Sequence, residues 1–235
     1  MKNVWDGVQE NCEGWQCVTY GDKLREWAKS YGACIALAEE GRAQSYEGLK
    51  DCALELASVF LSEGLRKGDR AIMQLGNSIF FAEALFALWE IGAVPVMALP
   101  SHNQKEIEGI SGIAKPRAYI GNRGGQNDKR SLAVKEAAIR QGVELFFYED
   151  CLMNEHGEVA CKGERGYETP DYKDIAMLLL SGGTTGAPKL IPRTHGDYIY
   201  DNHMTAARCR LNRESVFLAV LPVAHNFVLG NPGLP

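Results

Sequence analysis

The chain has no CxxC pair, no excess of basic residues and no uninterrupted apolar span, and each absence removes a class of protein. Its seven cysteines, Cys12, Cys17, Cys34, Cys52, Cys151, Cys161 and Cys209, are odd in number and irregularly spaced. That pattern offers neither a disulfide framework nor a zinc knuckle, so the expectation is reduced thiols acting mostly as core filler. The first residues lack the basic start and apolar stretch of a secretory signal, which together with free thiols points to the cytoplasm. The most apolar stretch, Phe80 to Pro100, is broken by Glu83, Glu90, Gly92 and Pro95. A membrane span of about 20 apolar residues would not carry them, so a buried helix followed by a strand is the better reading. A net charge of −5 gives no footprint for nucleic acid or an anionic membrane, and neither is expected as a partner. Short-period repeats and low-complexity tracts are absent too.

What is present is an ordinary globular composition, 46% hydrophobic and 23% charged over 235 residues, enough for one or two domains with a substantial core. Leu49, Cys52, Ala53, Leu56, Val59 and Phe60 fall at helical spacing, with Gly64 as a stop signal, and predict a helix over Gly48 to Leu65. A strand at Asp69 to Leu75, an apolar helix at Ile79 to Ile91 and a strand at Val94 to Leu99 then compose a βαβ unit. The pattern continues with a helix at Gln104 to Ile113, a strand at Arg117 to Ile120, a helix at Ser131 to Gln141 and a strand at Val143 to Tyr148. Such alternation predicts an α/β fold with mostly parallel sheets flanked by helices. Residues 149–172 are polar and aperiodic and read as a long connection. Beyond it come strands at Ile175 to Leu180 and Leu190 to Arg193, a helix over Asp197 to Cys209, and a strand at Val216 to Leu221. Pro192 makes the second of these strands an edge or irregular one. This divides the chain into a first α/β subdomain with its connection, 1–172, and a further, incomplete region, 173–235, that carries the glycine-rich loop.

That loop, Ser181-Gly182-Gly183-Thr184-Thr185-Gly186-Ala187-Pro188-Lys189, is the most informative segment. Glycines let successive backbone N–H groups turn inward on an anion, hydroxyls donate further hydrogen bonds, and a lysine supplies positive charge, so the combination suits a polyphosphate. It is not a Walker A loop, because Pro188 precedes the lysine and Leu190 follows it. A plain Gly- and Thr-rich surface turn is the alternative reading of the same residues. Downstream, His225 and its neighbours follow the end of an expected strand, where α/β folds place ligand contacts. On the residues alone, His225 is equally a satisfied polar residue and Phe227 a core side chain.

The nine loop positions resemble the phosphate-loop signature of the acyl-adenylate-forming superfamily. Within it, His225-Asn226-Phe227-Val228-Leu229-Gly230-Asn231-Pro232-Gly233 is similar to the HNYPLSSPG segment of the 2,3-dihydroxybenzoate–AMP and salicylate–AMP ligases of siderophore assembly. Lys189-Leu-Ile-Pro-Arg-Thr-His195 with Asp197-Tyr198, and Pro95-Val-Met-Ala-Leu-Pro-Ser-His102, resemble the same enzymes. The resemblance implies that Ser181, Gly182, Gly183, Thr184, Thr185, Gly186 and Lys189 hold the β- and γ-phosphates of ATP, supplied with Mg2+, while a carboxylate attacks the α-phosphate. Lys189 and His225 would then be the catalytic candidates, with Asn226, Phe227 and Asn231 contacting the aryl acid. Phe227 would supply an aromatic wall for a flat ring. An aryl-adenylate and pyrophosphate would form, and the aryl group would pass to the phosphopantetheine thiol of an aryl carrier protein, a step of nonribosomal peptide synthesis.

Besides the aromatic exchange at Phe227, the chain departs from the pattern where Val228 replaces a proline and where Gly230 and Asn231 replace two serines. Asn231 stands where the family faces the ring hydroxyls, so a shifted preference among benzoates is expected. The later Gly-Tyr-Gly-x-Thr-Glu and Thr-Gly-Asp segments of the family and its small C-terminal domain do not occur before Pro235. The expectation is therefore a partial N-terminal domain, inactive alone. An acyl-CoA synthetase for another acid and a non-catalytic nucleotide-binding module are the rival readings.

Overall fold

A computed structural model describes residues 14–122, 128–152, 167–181 and 189–230. In chain order the elements are α1 (Tyr20–Tyr31), β1 (Ile35–Glu39), β2 (Arg42–Ser45), α2 (Tyr46–Ser62), β3 (Arg70–Gln74), α3 (Ile79–Glu90), β4 (Val94–Met97) and α4 (Gln104–Ala114). They continue with β5 (Ala118–Gly121), α5 (Lys129–Arg140), β6 (Leu145–Tyr148), α6 (Glu149–Leu152), β7 (Ile175–Leu180), β8 (Leu190–Thr194), α7 (His195–Arg208) and α8 (Asn226–Gly230). Strands β1 and β2 form a small antiparallel pair, and β3 to β8 build one sheet in the order β6-β5-β3-β4-β7-β8. All its pairings are parallel except the last, where β8 closes the edge antiparallel to β7. The expected α/β fold with a mostly parallel, helix-flanked sheet is what the chain adopts, and strands from both sides of residue 172 share that sheet.

Period-two alternation places successive strand residues on opposite faces. Ala71 and Met73 of β3 and Ala118 and Ile120 of β5 enter one core, with α1, α2, α3 and α7. Ile72 and Tyr119 enter the other, with α4 and α5. Helix α3 is buried along its whole length. Its two acids, which interrupt the apolar run in the sequence, are each met by an arginine from an earlier element. Arg42 of β2 reaches Glu83 at 2.8 Å, with Gln44 Nε2 donating to the same oxygen at 3.0 Å, and Arg25 of α1 pairs with Glu90. Trp89 stacks on Tyr20 of α1 with centroids 4.0 Å apart and donates Nε1–H to the Ala176 carbonyl of β7 at 2.8 Å. Helix α3 thus fastens α1 and the β1–β2 pair to the sheet. After α2 the chain turns at Gly64, whose φ of +94° is in the region favoured by glycine, in keeping with the stop signal read there.

Three expectations need correction. Val216 to Leu221 forms no strand; the segment pairs with none among the described residues, and Val216 is 95% exposed. An apolar run becomes a strand only where a ladder partner exists, and here two of its carbonyls are taken by a side chain instead, as described below. The five described cysteines are not core filler: Cys17, Cys34, Cys151 and Cys209 are exposed and Cys52 half-buried, while Cys12 and Cys161 lie outside the described residues. Burial, with the Glu83 carboxylate nearby, pushes the Cys52 thiol up to about 11. The connection after β6 opens with the short helix α6, while its residues 153–166 lie outside the described ones. Pro192 does sit on the edge strand, where its missing N–H is tolerated.

Candidate functional site

Parallel strands bring their carboxyl ends to one edge of the sheet, the edge at which open α/β folds bind ligands. There β7 runs into Ser181, and the chain returns at Lys189 to begin β8. Ser181 N–H donates to the Lys189 carbonyl at 2.9 Å, and Lys189 N–H donates to Ser181 Oγ at 3.2 Å. The two ends of the glycine-rich loop are thereby held together, and Lys189 is exposed. Gly182, Gly183, Thr184, Thr185 and Gly186 lie outside the described residues, as does Asn231.

Two strands away, just past the carboxyl end of β3, Asn77 ties the downstream segment to the same edge. Its Nδ2 donates to the carbonyls of Ala219 and Leu221 at 2.9 Å each, and its Oδ1 accepts from Val223 N–H at 2.8 Å. The chain then turns into α8: His225 N–H donates to Pro222 O at 2.9 Å, and the His225 carbonyl accepts from Val228 N–H at 3.0 Å. A proline at position 228 could not donate that last bond. Phe227 N–H donates to His225 Nδ1 at 3.2 Å, which ties the imidazole to the first turn of α8. Val228, Leu229 and Gly230 are buried against the core, while His225, Asn226 and Phe227 face outward, Phe227 at 59% exposure. Phe227 is therefore no core side chain.

Asn226 is held from below by α7. Tyr198 donates its hydroxyl to Asn226 Oδ1 at 3.0 Å. Tyr198 is itself buried, with the Arg193 guanidinium 4.6 Å from its ring centroid. Arg193 in turn reaches Asp197 at 2.5 Å and Asp201 at 3.6 Å. Burial raises the Tyr198 pKa, against the pull of Arg193 and with the help of Asp201 and Asp197, so the phenol is a protonated donor at neutral pH. His195, at the first turn of α7, has a structural part instead: it is buried, its Nδ1 accepts from Tyr20 N–H at 3.3 Å, and desolvation pulls its pKa down to about 4 despite Asp174, Asp22 and Asp171.

The structure thus gathers Ser181 and Lys189 at the end of β7, and His225, Asn226 and Phe227 beside the end of β3, on one edge with β4 between. Sequence reading did not find Asn77 or the orienting part of Tyr198 and Arg193. Asn77 carried one signal, its place directly after a parallel strand; the Tyr198 contact, 28 residues from its partner, carried none.

An open, mostly parallel six-stranded sheet flanked by helices defines the chain as an α/β protein. Within that class it belongs to the AMP-binding enzyme family, whose model matches residues 24–231. It is 39% identical over 232 residues to the 2,3-dihydroxybenzoate-AMP ligase of Bacillus subtilis, an alignment covering 94% of this chain and 41% of that one. It is 34% identical over 230 residues to the salicyl-AMP ligase / salicyl-S-ArCP synthetase of Mycobacterium tuberculosis, again covering 94% and 41%. The apo structure of MbtA from Mycobacterium smegmatis superposes with a TM-score of 0.82 at 35% identity, covering 94% of this chain and 42% of that one. The chain spans about two fifths of the length of these relatives.

Proposed function

We propose that this chain is the acid-recognising and phosphate-holding part of a ligase that joins an aryl carboxylic acid of the 2,3-dihydroxybenzoate or salicylate type to AMP, releasing pyrophosphate from ATP. The observation that carries the reading is the outward-facing His225-Asn226-Phe227 group, fixed at the carboxyl edge by Asn77 and Tyr198, in a chain whose relatives are named for those two acids. A flat exposed aromatic beside a polar amide is a surface an aryl carboxylate can lie against. Ser181 and Lys189, at the ends of the loop, offer a hydroxyl and an ammonium with no carboxylate between them in sequence, a donor set that fits a polyphosphate. In this reading Gly182, Gly183, Thr184, Thr185 and Gly186 complete the cradle. Mg2+ enters, in this reading, with the phosphates of ATP, whose oxygens are its natural ligands. Transfer of the aryl group to a carrier-protein phosphopantetheine, in the cytoplasm and in the service of siderophore synthesis, completes the proposal.

What these residues supply is positioning and charge. Asn226 and Phe227 orient the acid, and Lys189 stabilises negative charge that builds on the phosphate oxygens. The test is acid-dependent exchange of labelled pyrophosphate into ATP by the gene product in its natural length, across benzoates, hydroxybenzoates, picolinates and short fatty acids. Exchange restricted to aryl acids supports the reading; exchange with aliphatic acids alone transfers it to the acyl-CoA synthetases. Lys189→Ala, at an exposed position, is expected to slow exchange by roughly a hundredfold without loss of fold, and an unchanged rate removes Lys189 from the mechanism.

A further inference from the structure

Asn226 is an amide, and an amide can present either of two opposite faces to a ligand: an oxygen that accepts or an N–H2 that donates. Which face is offered depends on what holds the other. Resting on the aryl-acid reading, we propose that Tyr198 is a positioning residue that holds the Asn226 carbonyl oxygen inward and turns its N–H2 toward the acid, so that the site selects aryl acids with a hydrogen-bond acceptor ortho to the carboxylate.

Three observations support this. Tyr198 donates to Asn226 Oδ1 at 3.0 Å from a ring fixed by burial and by the Arg193 guanidinium stacked on it, so the donor has little freedom to move. The phenol stays protonated, because burial and the nearby Asp201 and Asp197 oppose its ionisation. The third observation is Gly230, where the resembling ligases carry serine. A Cβ built there would lie 2.9 Å from Tyr198 Oη, 3.3 Å from Asn226 Oδ1 and 3.4 Å from Asp201 Oδ2. The contact with Tyr198 is closer than a side-chain carbon tolerates, so the departure to glycine makes room for this hydrogen bond.

The chemistry of the acids then decides which fit. In a 2-hydroxybenzoate the phenolic O–H is turned onto the neighbouring carboxylate, leaving the phenolic oxygen as an acceptor that matches an N–H2 donor. A picolinate offers its ring nitrogen at the same place. A 2-aminobenzoate is nearly isosteric with salicylate, but its amine presents N–H, and a donor would face a donor. Leaving buried polar groups mismatched costs more than leaving them out, so this polarity is where discrimination arises.

The experiment has two arms on the gene product in its natural length. In the first, the protein is labelled with 15N-asparagine and the Asn226 side-chain N–H2 pair is identified by its loss in Asn226→Asp. Tyr198→Phe, which keeps the ring, and Gly230→Ala, which crowds the bond, are both expected to shift that pair while other asparagine signals stay in place. A pair unmoved by Tyr198→Phe overturns the positioning role, whatever the substrate proves to be. In the second arm, kcat/KM for pyrophosphate exchange is compared for salicylate and 2-aminobenzoate. The wild type is expected to favour salicylate, and Tyr198→Phe to reduce that preference by roughly tenfold with the KM for ATP unchanged, a split that a merely structural defect would not produce. An unaltered preference sinks the selectivity. If the wild type exchanges with no aryl acid at all, the aryl-acid reading and the selectivity fall together, and the N–H2 pair alone decides the part played by Tyr198.

Discussion

His195 sits where a charge has no water to hold it. Its imidazole is buried between Tyr20 and Trp89, at centroid distances of 5.8 Å and 6.4 Å, and its pKa is pulled down to about 4 by that burial. Between about pH 4 and 6.5 the unfolded chain therefore binds a proton that the folded chain refuses, and stability is lost as pH falls through that window. The melting temperature is expected to drop from pH 7.5 to pH 5, and His195→Gln, which cannot be protonated, to show a smaller drop. An equal drop would mean that other groups control acid unfolding. Trp89, in the same cluster, fills its site completely and holds β7 through Ala176. Trp89→Ala is expected to cost about 3–5 kcal/mol in urea unfolding, chiefly through the cavity it leaves. At this scale the sequence was legible where candidate residues are contiguous, as in His225-Asn226-Phe227, which the structure leaves exposed side by side. It was silent where a contact joins distant positions, since nothing in the spacing of Tyr198 announces Asn226.

Among the elements, the arginine–glutamate pairs of α3 have the clearest consequence. Glu83 is fully buried, and burial raises its pKa while Arg42 opposes that shift. Removing the arginine leaves a buried carboxylate with its charge unpaired and only the Gln44 hydrogen bond to offset its desolvation, so Arg42→Met is expected to destabilise by about 3 kcal/mol near neutral pH, measured by urea unfolding. Because the orphaned Glu83 takes up a proton more readily in the folded chain, the loss should shrink as pH is lowered toward the ordinary carboxylate range. The helices and strands from α2 to α5 were readable because period and length agree there, including the acids that mark α3 as buried rather than membrane-spanning. Helix α1 was missed although Thr19 and Asp22 form a capping box, a start signal present in the sequence. The error at 216–221 has a different origin. Apolar content says that a segment wants burial, but only a neighbour with free N–H and C=O groups makes it a strand.

At the scale of the 235-residue chain, that segment, unpaired among the described residues, is a surface property. Val216, Leu218 and Val220 are 95%, 79% and 77% exposed, and Phe217 and Leu221 are exposed beside them. Such a contiguous apolar stretch favours self-association. Sedimentation of the 235-residue chain is expected to show association that grows with concentration, and Leu218→Glu with Val220→Glu to suppress it. Association unaffected by both charges would locate the contact elsewhere.

The clamp made by Asn77 sets a timetable. Its three partners lie 142, 144 and 146 residues further along the chain, so a polypeptide emerging from a ribosome completes the β3 turn long before anything exists to occupy that carboxamide. The His225-Asn226-Phe227 group can be tied to this clamp only after β3 to β7 have been made, and the pairing of those strands has by then closed most of the intervening chain, which lowers the entropy cost of the late contact. The late contact is thereby conditional on the strands that precede it, and the Asn77 carboxamide waits for a segment made only after β8 and α7.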